Sequence, residues 1–277
     1  MADETVQENP PKRKRVSPRR NVAPHSLWGS VLESVVFFSD TLTLSGRTLA
    51  TIFTGRFAVR DLIQQMSLIG VDALTIVVIM AITSGSVFSL YIATLAQSIG
   101  FTEVVGGTLA YAFMNELGPV LGGIAFAARS GAAIAAEIGT MVVTEQVDAL
   151  RAMAVSPIRY LVVPKVLAAV IMLPMLIIIT DVVGIGAGMF TAAMNGIPTS
   201  TFLASVYKYA HARDLTNGVI KSVVFGFLIG IVACQTGLTT KGGATGVGRS
   251  TTRSVVLCVM MITIADVFLT TLLRHIP

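Results

Sequence analysis

The chain has 277 residues, 53% of them apolar and 13% charged, with a formal net charge of +5 and a mean hydropathy of +0.78. Soluble domains carry about 25% charged residues. This chain therefore lacks the polar surface needed to cover a globule in water, and composition points to a protein embedded in a bilayer. Cys234 and Cys258 both sit inside apolar runs and exclude a disulfide framework. His25, His211 and His275 are scattered and show no metal-ligand spacing, so no metal site is expected.

The first 26 residues, which include KRKR at 12–15, are polar and basic. They read as a disordered cytoplasmic tail drawn to anionic headgroups, not as a nucleic-acid-binding arm. No apolar segment with a cleavage site comes after them, so a signal peptide is not expected. Residues 27–66 are apolar but interrupted by Glu33, Asp40, Arg47, Arg56 and Arg60. Trp28, Val31, Leu32, Val35 and Leu42 recur at helical spacing, which predicts one or two amphipathic helices lying in the membrane interface.

Five apolar runs come next, at about 69–97, 104–128, 160–194, 215–238 and 254–273. Each approaches the ~20 residues that cross a bilayer. The third is longer than one crossing needs, with Pro164 and Pro174 as candidate bend points. The expected fold is all-α, with five transmembrane helices and an N-terminal interfacial amphipathic helix. The permease domain then covers 67–277, with a cytoplasmic helix at about 140–155. Placing the N-terminus in the cytoplasm puts sixteen Lys and Arg on that side and four, Lys208, Arg213, Lys221 and Arg274, on the other. The C-terminus then lies outside. Gly118–Gly122, Gly184–Gly188 and Gly226–Gly230 each have the spacing that lets helix backbones approach closely, within or between subunits.

Residues 243–250, GATGVGRS, come one residue short of a phosphate-binding loop, with Arg249 in the lysine position. That motif needs a strand before it and a helix after it in an α/β domain. Here it lies between two membrane spans, so it is expected to be a glycine-rich loop, with Thr251 or Thr252 capping the last span. No nucleophile–base set is visible, and catalysis in this chain is not expected. The candidates are ionisable residues in apolar segments: Glu116, Asp181 and Asp266 in mid-span, and Asp72 near a span start. Such residues are costly in hydrocarbon and face a bundle interior or a wet cavity. Pro119 loosens the helix beside Glu116. Arg129 and Glu137, eight residues apart, share a helix face and predict an ion-paired corner where the second span leaves the membrane.

Between the second and third spans, Val143, Val147, Leu150 and Ala154 fall on one helical face, with Glu145, Asp148 and Arg151 on the rest. Thr144 is placed to cap the start. This is a short amphipathic helix; periodicity leaves open whether it is a solvated surface helix or a docking face.

ELGPV (116–120), ARSGAAIAAEIGTM (128–141), VTEQVDALRAMAVSPIRYLVVPKVLA (143–168), IKSVVFG (220–226) and GVGRSTTRSVV (246–256) together resemble the MlaE/YrbE permeases over roughly residues 30–275. These are membrane subunits of ABC transporters that work with MCE-domain proteins and move lipids. The resemblance implies a homodimer of five-span protomers in the bacterial inner membrane. It implies a cytoplasmic ATPase dimer, holding ATP and Mg, docked on Glu145, Gln146, Asp148 and Arg151. It also implies an MCE-domain hexamer on the outer side, a small STAS-type accessory subunit, and a lipid pocket bordered by Val87, Leu90 and Tyr91. No cofactor is expected in this chain. Relatives often carry Arg where this chain has Asn115, and Asp where it has Ser156; the first change removes an ion-pair partner for Glu116. The expected function is movement of lipid, by default phospholipid, driven by a partner ATPase. The alternatives are an ion-coupled transporter using Glu116, Asp181 and Asp266 as a relay, and a lipid-modifying membrane enzyme.

Overall fold

The computed structural model describes residues 27–54 and 59–274. The basic tail, His25 and His275 lie outside the described residues. Eight helices are described, and no strand occurs among these residues. Helix α1 spans Leu27–Thr54. The five membrane-spanning helices are α2 (Arg60–Ile99), α3 (Thr102–Val143), α5 (Ile158–Met194), α7 (Ala212–Leu238) and α8 (Gly243–Arg274). Two shorter helices sit at opposite ends of the bundle: α4 (Gln146–Ala152), between the second and third spans, and α6 (Thr199–Tyr209), between the third and fourth.

The five spans are where the apolar runs predict them, but several boundaries move outward. Residues 60–66, expected in the interfacial region, begin the first span. The second span does not end near residue 128. It runs on as one helix to Val143, 42 residues in all. That is roughly 60 Å of helix against a hydrocarbon core of about 30 Å. Residues 129–143, expected to leave the membrane, thus form the end of a rod. The glycine-rich stretch is not a loop: α8 starts at Gly243. Thr251 and Thr252 donate back to the Gly248 carbonyl inside that helix and cap nothing. The third span is continuous through Pro164 and Pro174.

Four single π-helical turns interrupt the spans: Ser67–Val71, Phe113–Leu117, Ala127–Gly131 and Ile158–Val162. Each adds a residue to a turn and shifts the angular register of the residues beyond it. Two of them carry ionisable residues that pair with other spans, Glu116 and Arg129.

Small residues set the helix spacing. The Gly85 backbone lies against the Gly184 carbonyl, which seams the first span to the third. Ser89 Oγ donates to the Gly188 carbonyl at 2.6 Å in the same seam. Gly226 and Gly230 lie against Ala169 and Val166 of α5. Gly118 and Gly122 meet Asp181 and Ile177 of the same helix. All three glycine pairs singled out by spacing therefore pack inside one protomer. A larger apolar core, including Phe126, Ile138, Leu173, Ile177, Phe225 and Cys258, fills the half of the bundle nearer α4. A smaller one, around Leu109, Phe113, Ile197 and Phe202, fills the other end. Both cysteines are free and buried.

The seam gives a direct test. Gly85→Val places a side chain into the Gly184 backbone, and overpacking costs typically about 1–3 kcal/mol. It should lower the melting temperature and the monodisperse yield in detergent. Gly186→Val, in open space on the same helix as Gly184, should leave both unchanged.

Candidate functional site

Pro119 lacks the N–H that would bond the carbonyl four residues back, at Asn115. The π-turn Phe113–Leu117 accommodates the gap, with Gly118 N reaching back to Phe113 O. The released Asn115 carbonyl accepts a hydrogen bond from Lys221 Nζ at 2.8 Å. Lys221 comes from α7 and is only 2% exposed. Its ammonium also donates to Thr270 Oγ1 of α8 at 2.8 Å. Glu116 Oε2 stands 2.9 Å from it. Asp266 Oδ1 stands 3.0 Å away, an ion-pair partner off the hydrogen-bonding directions. Thr270 Oγ1 donates in turn to Glu116 Oε1 at 3.0 Å. One buried cation on the fourth span thus collects two carboxylates and an orphaned carbonyl from the second and fifth spans.

The network continues through Asn115. Its Nδ2 donates to Asp214 Oδ1 at 2.9 Å, and its Oδ1 accepts from Asn217 at 3.3 Å. Asp214 Oδ2 accepts from the His211 N–H at 2.9 Å and so caps the start of α7. Asn115, Glu116, Asp214, Asn217, Lys221 and Thr270 border a cavity of about 460 Å³. A buried charge is tolerable only when paired and hydrogen-bonded. The Lys221 ammonium meets both conditions, with two carboxylates as counter-ions and the Asn115 carbonyl and Thr270 hydroxyl as acceptors.

Lys221 is the residue that sequence reasoning missed. The charge count places it outside the membrane, yet it is buried within the fourth span. The available signal is a lone lysine between Ile220 and the apolar run 223–234. Asn115 does not leave Glu116 without a cation, because Lys221 supplies the charge from another helix.

Arg129 and Glu137 are not each other's partners. The π-turn Ala127–Gly131 breaks the 3.6-residue register between them. Arg129 bonds Asp72 of the first span at 3.1 Å, with both side chains about half exposed. Glu137 bonds Lys165 of the third span at 2.6 Å, and Lys165 also donates to Gln65 Oε1 at 2.9 Å. Lys165 is, like Lys221, 2% exposed. Asp181 is buried on the third span, and neither carboxylate oxygen has a hydrogen-bond partner among the described residues. Glu116 and Asp266 converge on Lys221, whereas Asp181 joins no ion pair among the described residues.

Helix α4 is shorter than expected, Gln146–Ala152. Thr144 does not cap it; its hydroxyl bonds the Thr140 carbonyl at 2.8 Å and closes the second span. Glu145 and Ala154 flank the helix with φ of 61° and 60°, the two non-glycine left-handed residues among those described. Val147 is buried, Val143 and Leu150 are half-buried, and Ala154 is exposed. Glu145, Gln146 and Asp148 are exposed, and Arg151 bonds Asp148 at 2.8 Å on the same surface. Met153 and Val155 add exposed apolar surface beside them. Val87, Leu90 and Tyr91 lie on the outward face of the first span, with Tyr91 70% exposed.

The geometry defines a multi-pass helical membrane protein with a polar cavity at one end and a short helix presented at the other. A family model described as Permease MlaE matches residues 62–272. The chain is 40% identical over 249 residues to a probable ABC transporter permease protein of Synechocystis, covering 90% of this chain and 92% of that one. It is 40% identical over 212 residues to a probable ABC transporter permease protein of Rickettsia bellii, covering 76% and 82%. It is 36% identical over 224 residues to the chloroplast protein TRIGALACTOSYLDIACYLGLYCEROL 1 of Arabidopsis thaliana, covering 80% of this chain and 64% of the relative. The chain belongs to the MlaE permease family.

Removing one partner of a buried ion pair costs about 3–5 kcal/mol. Lys221→Met should therefore destabilise the bundle strongly in thermal unfolding. Adding Glu116→Gln and Asp266→Asn to it should recover most of the loss, because the stranded carboxylates go too. Arg129→Ala, at a half-exposed pair, should cost under about 1 kcal/mol.

Proposed function

We propose that this chain is the membrane-spanning half of an ATP-driven lipid transporter, with ATP and Mg held by a separate ATPase. The observation that carries this reading is α4. A seven-residue helix is pinned to the bundle by Val147 and presents Gln146, Asp148, Arg151 and Met153 outward. A polar surface with an apolar anchor at one end of a span pair suits a protein partner that pushes on it. Family membership and relatives named as ABC transporter permeases support an ATPase as that partner. A relative named for trigalactosyldiacylglycerol supports a lipid as the cargo.

In this reading the chain works as a homodimer in the bacterial inner membrane, with α4 and the N-terminus cytoplasmic and the C-terminus periplasmic. An ATPase dimer docks on α4 from the cytoplasm, with a small STAS-type subunit as accessory. An MCE-domain hexamer continues the lipid path on the outer side. Lipid meets the protomer on the exposed face carrying Val87, Leu90 and Tyr91. The polar cavity around Lys221 lies in the outer half, where a moving headgroup needs partners in place of water.

Asp148→Lys and Met153→Asp change exposed groups that hold nothing in the core. Each should reduce co-purification of the partner ATPase by roughly tenfold, the effect of losing one interface hot spot. If both variants retain the ATPase and its lipid-stimulated turnover at the wild-type level, α4 is not the docking element.

A further inference from the structure

A second cavity, of about 820 Å³, opens at the end of the bundle away from α4. It lies between the turn Thr102–Val104 and helix α6, and is lined by Thr102, Glu103, Ser200, Thr201, Lys208 and Tyr209. Glu103 and Lys208 are both exposed and share this cavity, yet they make no ion pair with each other. The Lys208 ammonium instead lies 5.2 Å from the centre of the Tyr209 ring. One carboxylate and one ammonium thus line one cavity unpaired with each other, together with the hydroxyls of Thr102, Ser200, Thr201, Ser205 and Tyr209.

This cavity does not end blindly. Val104 and Tyr209 also wall a narrower slot of about 290 Å³, together with Thr108 and Tyr111. Tyr111 in turn borders the polar cavity around Lys221. Val104, Thr108 and Tyr111 recur every three to four residues ahead of the π-turn and so lie along one face of the second span. The three cavities therefore share wall residues in series from the bundle end to the buried lysine, and together they outline a groove. Its polar residues are at both ends, with aromatic walls between. Phe101, largely exposed, borders the outer cavity; aromatic residues favour the level where headgroups meet acyl chains.

We propose that the mouth of this groove binds the headgroup of a zwitterionic glycerophospholipid, its ammonium at Glu103 and its phosphate at Lys208. An unpaired carboxylate and ammonium lining one cavity offer a partner for each sign of such a headgroup. Thr102, Ser200 and Thr201 supply donors for the remaining phosphate oxygens. A purely anionic headgroup would meet Glu103 as a like charge. The acyl chains stay on the membrane side, along the exposed apolar residues of the neighbouring spans. This assignment rests on the lipid-transport reading and narrows its cargo to the phosphatidylethanolamine class.

The test reads binding on the purified full-length permease without nucleotide, so an absent or uncoupled ATPase leaves it untouched. Native mass spectrometry after exchange into mixed micelles containing equal phosphatidylethanolamine and phosphatidylglycerol gives the ratio of bound lipids. Wild type should retain phosphatidylethanolamine in excess. Glu103→Gln should cut that excess roughly threefold to fivefold, the range set by one exposed charge pair. Glu103→Lys should invert the preference toward phosphatidylglycerol, and Lys208→Gln should weaken both. Both positions are on the surface, and size-exclusion profiles should match wild type. A bound-lipid ratio that none of the three variants moves overturns the assignment. So does free phosphoethanolamine binding as tightly as the intact lipid, which would make this a site for a soluble solute.

Discussion

One missing N–H organises the half of the bundle away from α4. Pro119 cannot serve the Asn115 carbonyl, and hydrocarbon offers no water to replace the bond. The protein answers with a π-turn and with the Nζ of Lys221, 2.8 Å from the carbonyl oxygen. A buried ammonium then needs anions, and Glu116 and Asp266 provide them at 2.9 and 3.0 Å. Thr270 Oγ1 accepts from Lys221 and donates to Glu116, linking the cation to one of its carboxylates a second time. Each polar group is there because the one before it would be too costly alone. The result ties the second, fourth and fifth spans together at one level and leaves a polar cavity beside them.

A second buried lysine does the same at the other end. Lys165 joins the third span to Glu137 of the second and Gln65 of the first. Apart from the half-exposed Arg129–Asp72 pair, the remaining helix seams are held by small residues. The backbone contact of Gly85 with Gly184 and the packing of Gly226 on Ala169 let the helices approach closely. In lipid this matters more than apolar side chains do, since tails are as apolar as leucine and close packing must supply the attraction. Charge clusters at two depths with small-residue seams between them make a bundle whose register is fixed at both ends.

Hydrophobic runs make all five spans legible, because hydropathy reports contact with lipid. It does not report where a helix ends. Residues 129–143 are rich in small and polar groups and read as a departure from the membrane, yet the helix needs no lipid to continue there. The α4 segment is visible from the spacing of Val143, Val147 and Leu150, but its true start is not. Thr144 takes the carbonyl of Thr140 over the cap, a choice between two local bonds that sequence leaves equal. The partners of Glu116 are hidden for a different reason. Lys221 lies far along the chain, and a lysine near the end of an apolar run looks like a loop charge. Likewise, the spacing of Arg129 and Glu137 gives a common face only for an uninterrupted helix, and the π-turn between them cannot be read from the letters.

The second span connects these features mechanically. It is one helix from Thr102 to Val143, leading directly into the left-handed Glu145 and α4. From Val143 back to Glu116 is roughly 40 Å of helix, tied to its neighbours by Arg129–Asp72 and Glu137–Lys165. The exposed Arg129 pair is the weaker of the two braces and the buried Lys165 pair the stronger. Beyond those braces the next change of register along the rod is the turn Phe113–Leu117. It sets the Asn115 carbonyl and Glu116 against Lys221, beside the polar cavity. The missing N–H of Pro119 thus has two consequences on one helix: it calls in the lysine that ties the second span to the fourth, and it leaves a π-turn at the level of the cavity.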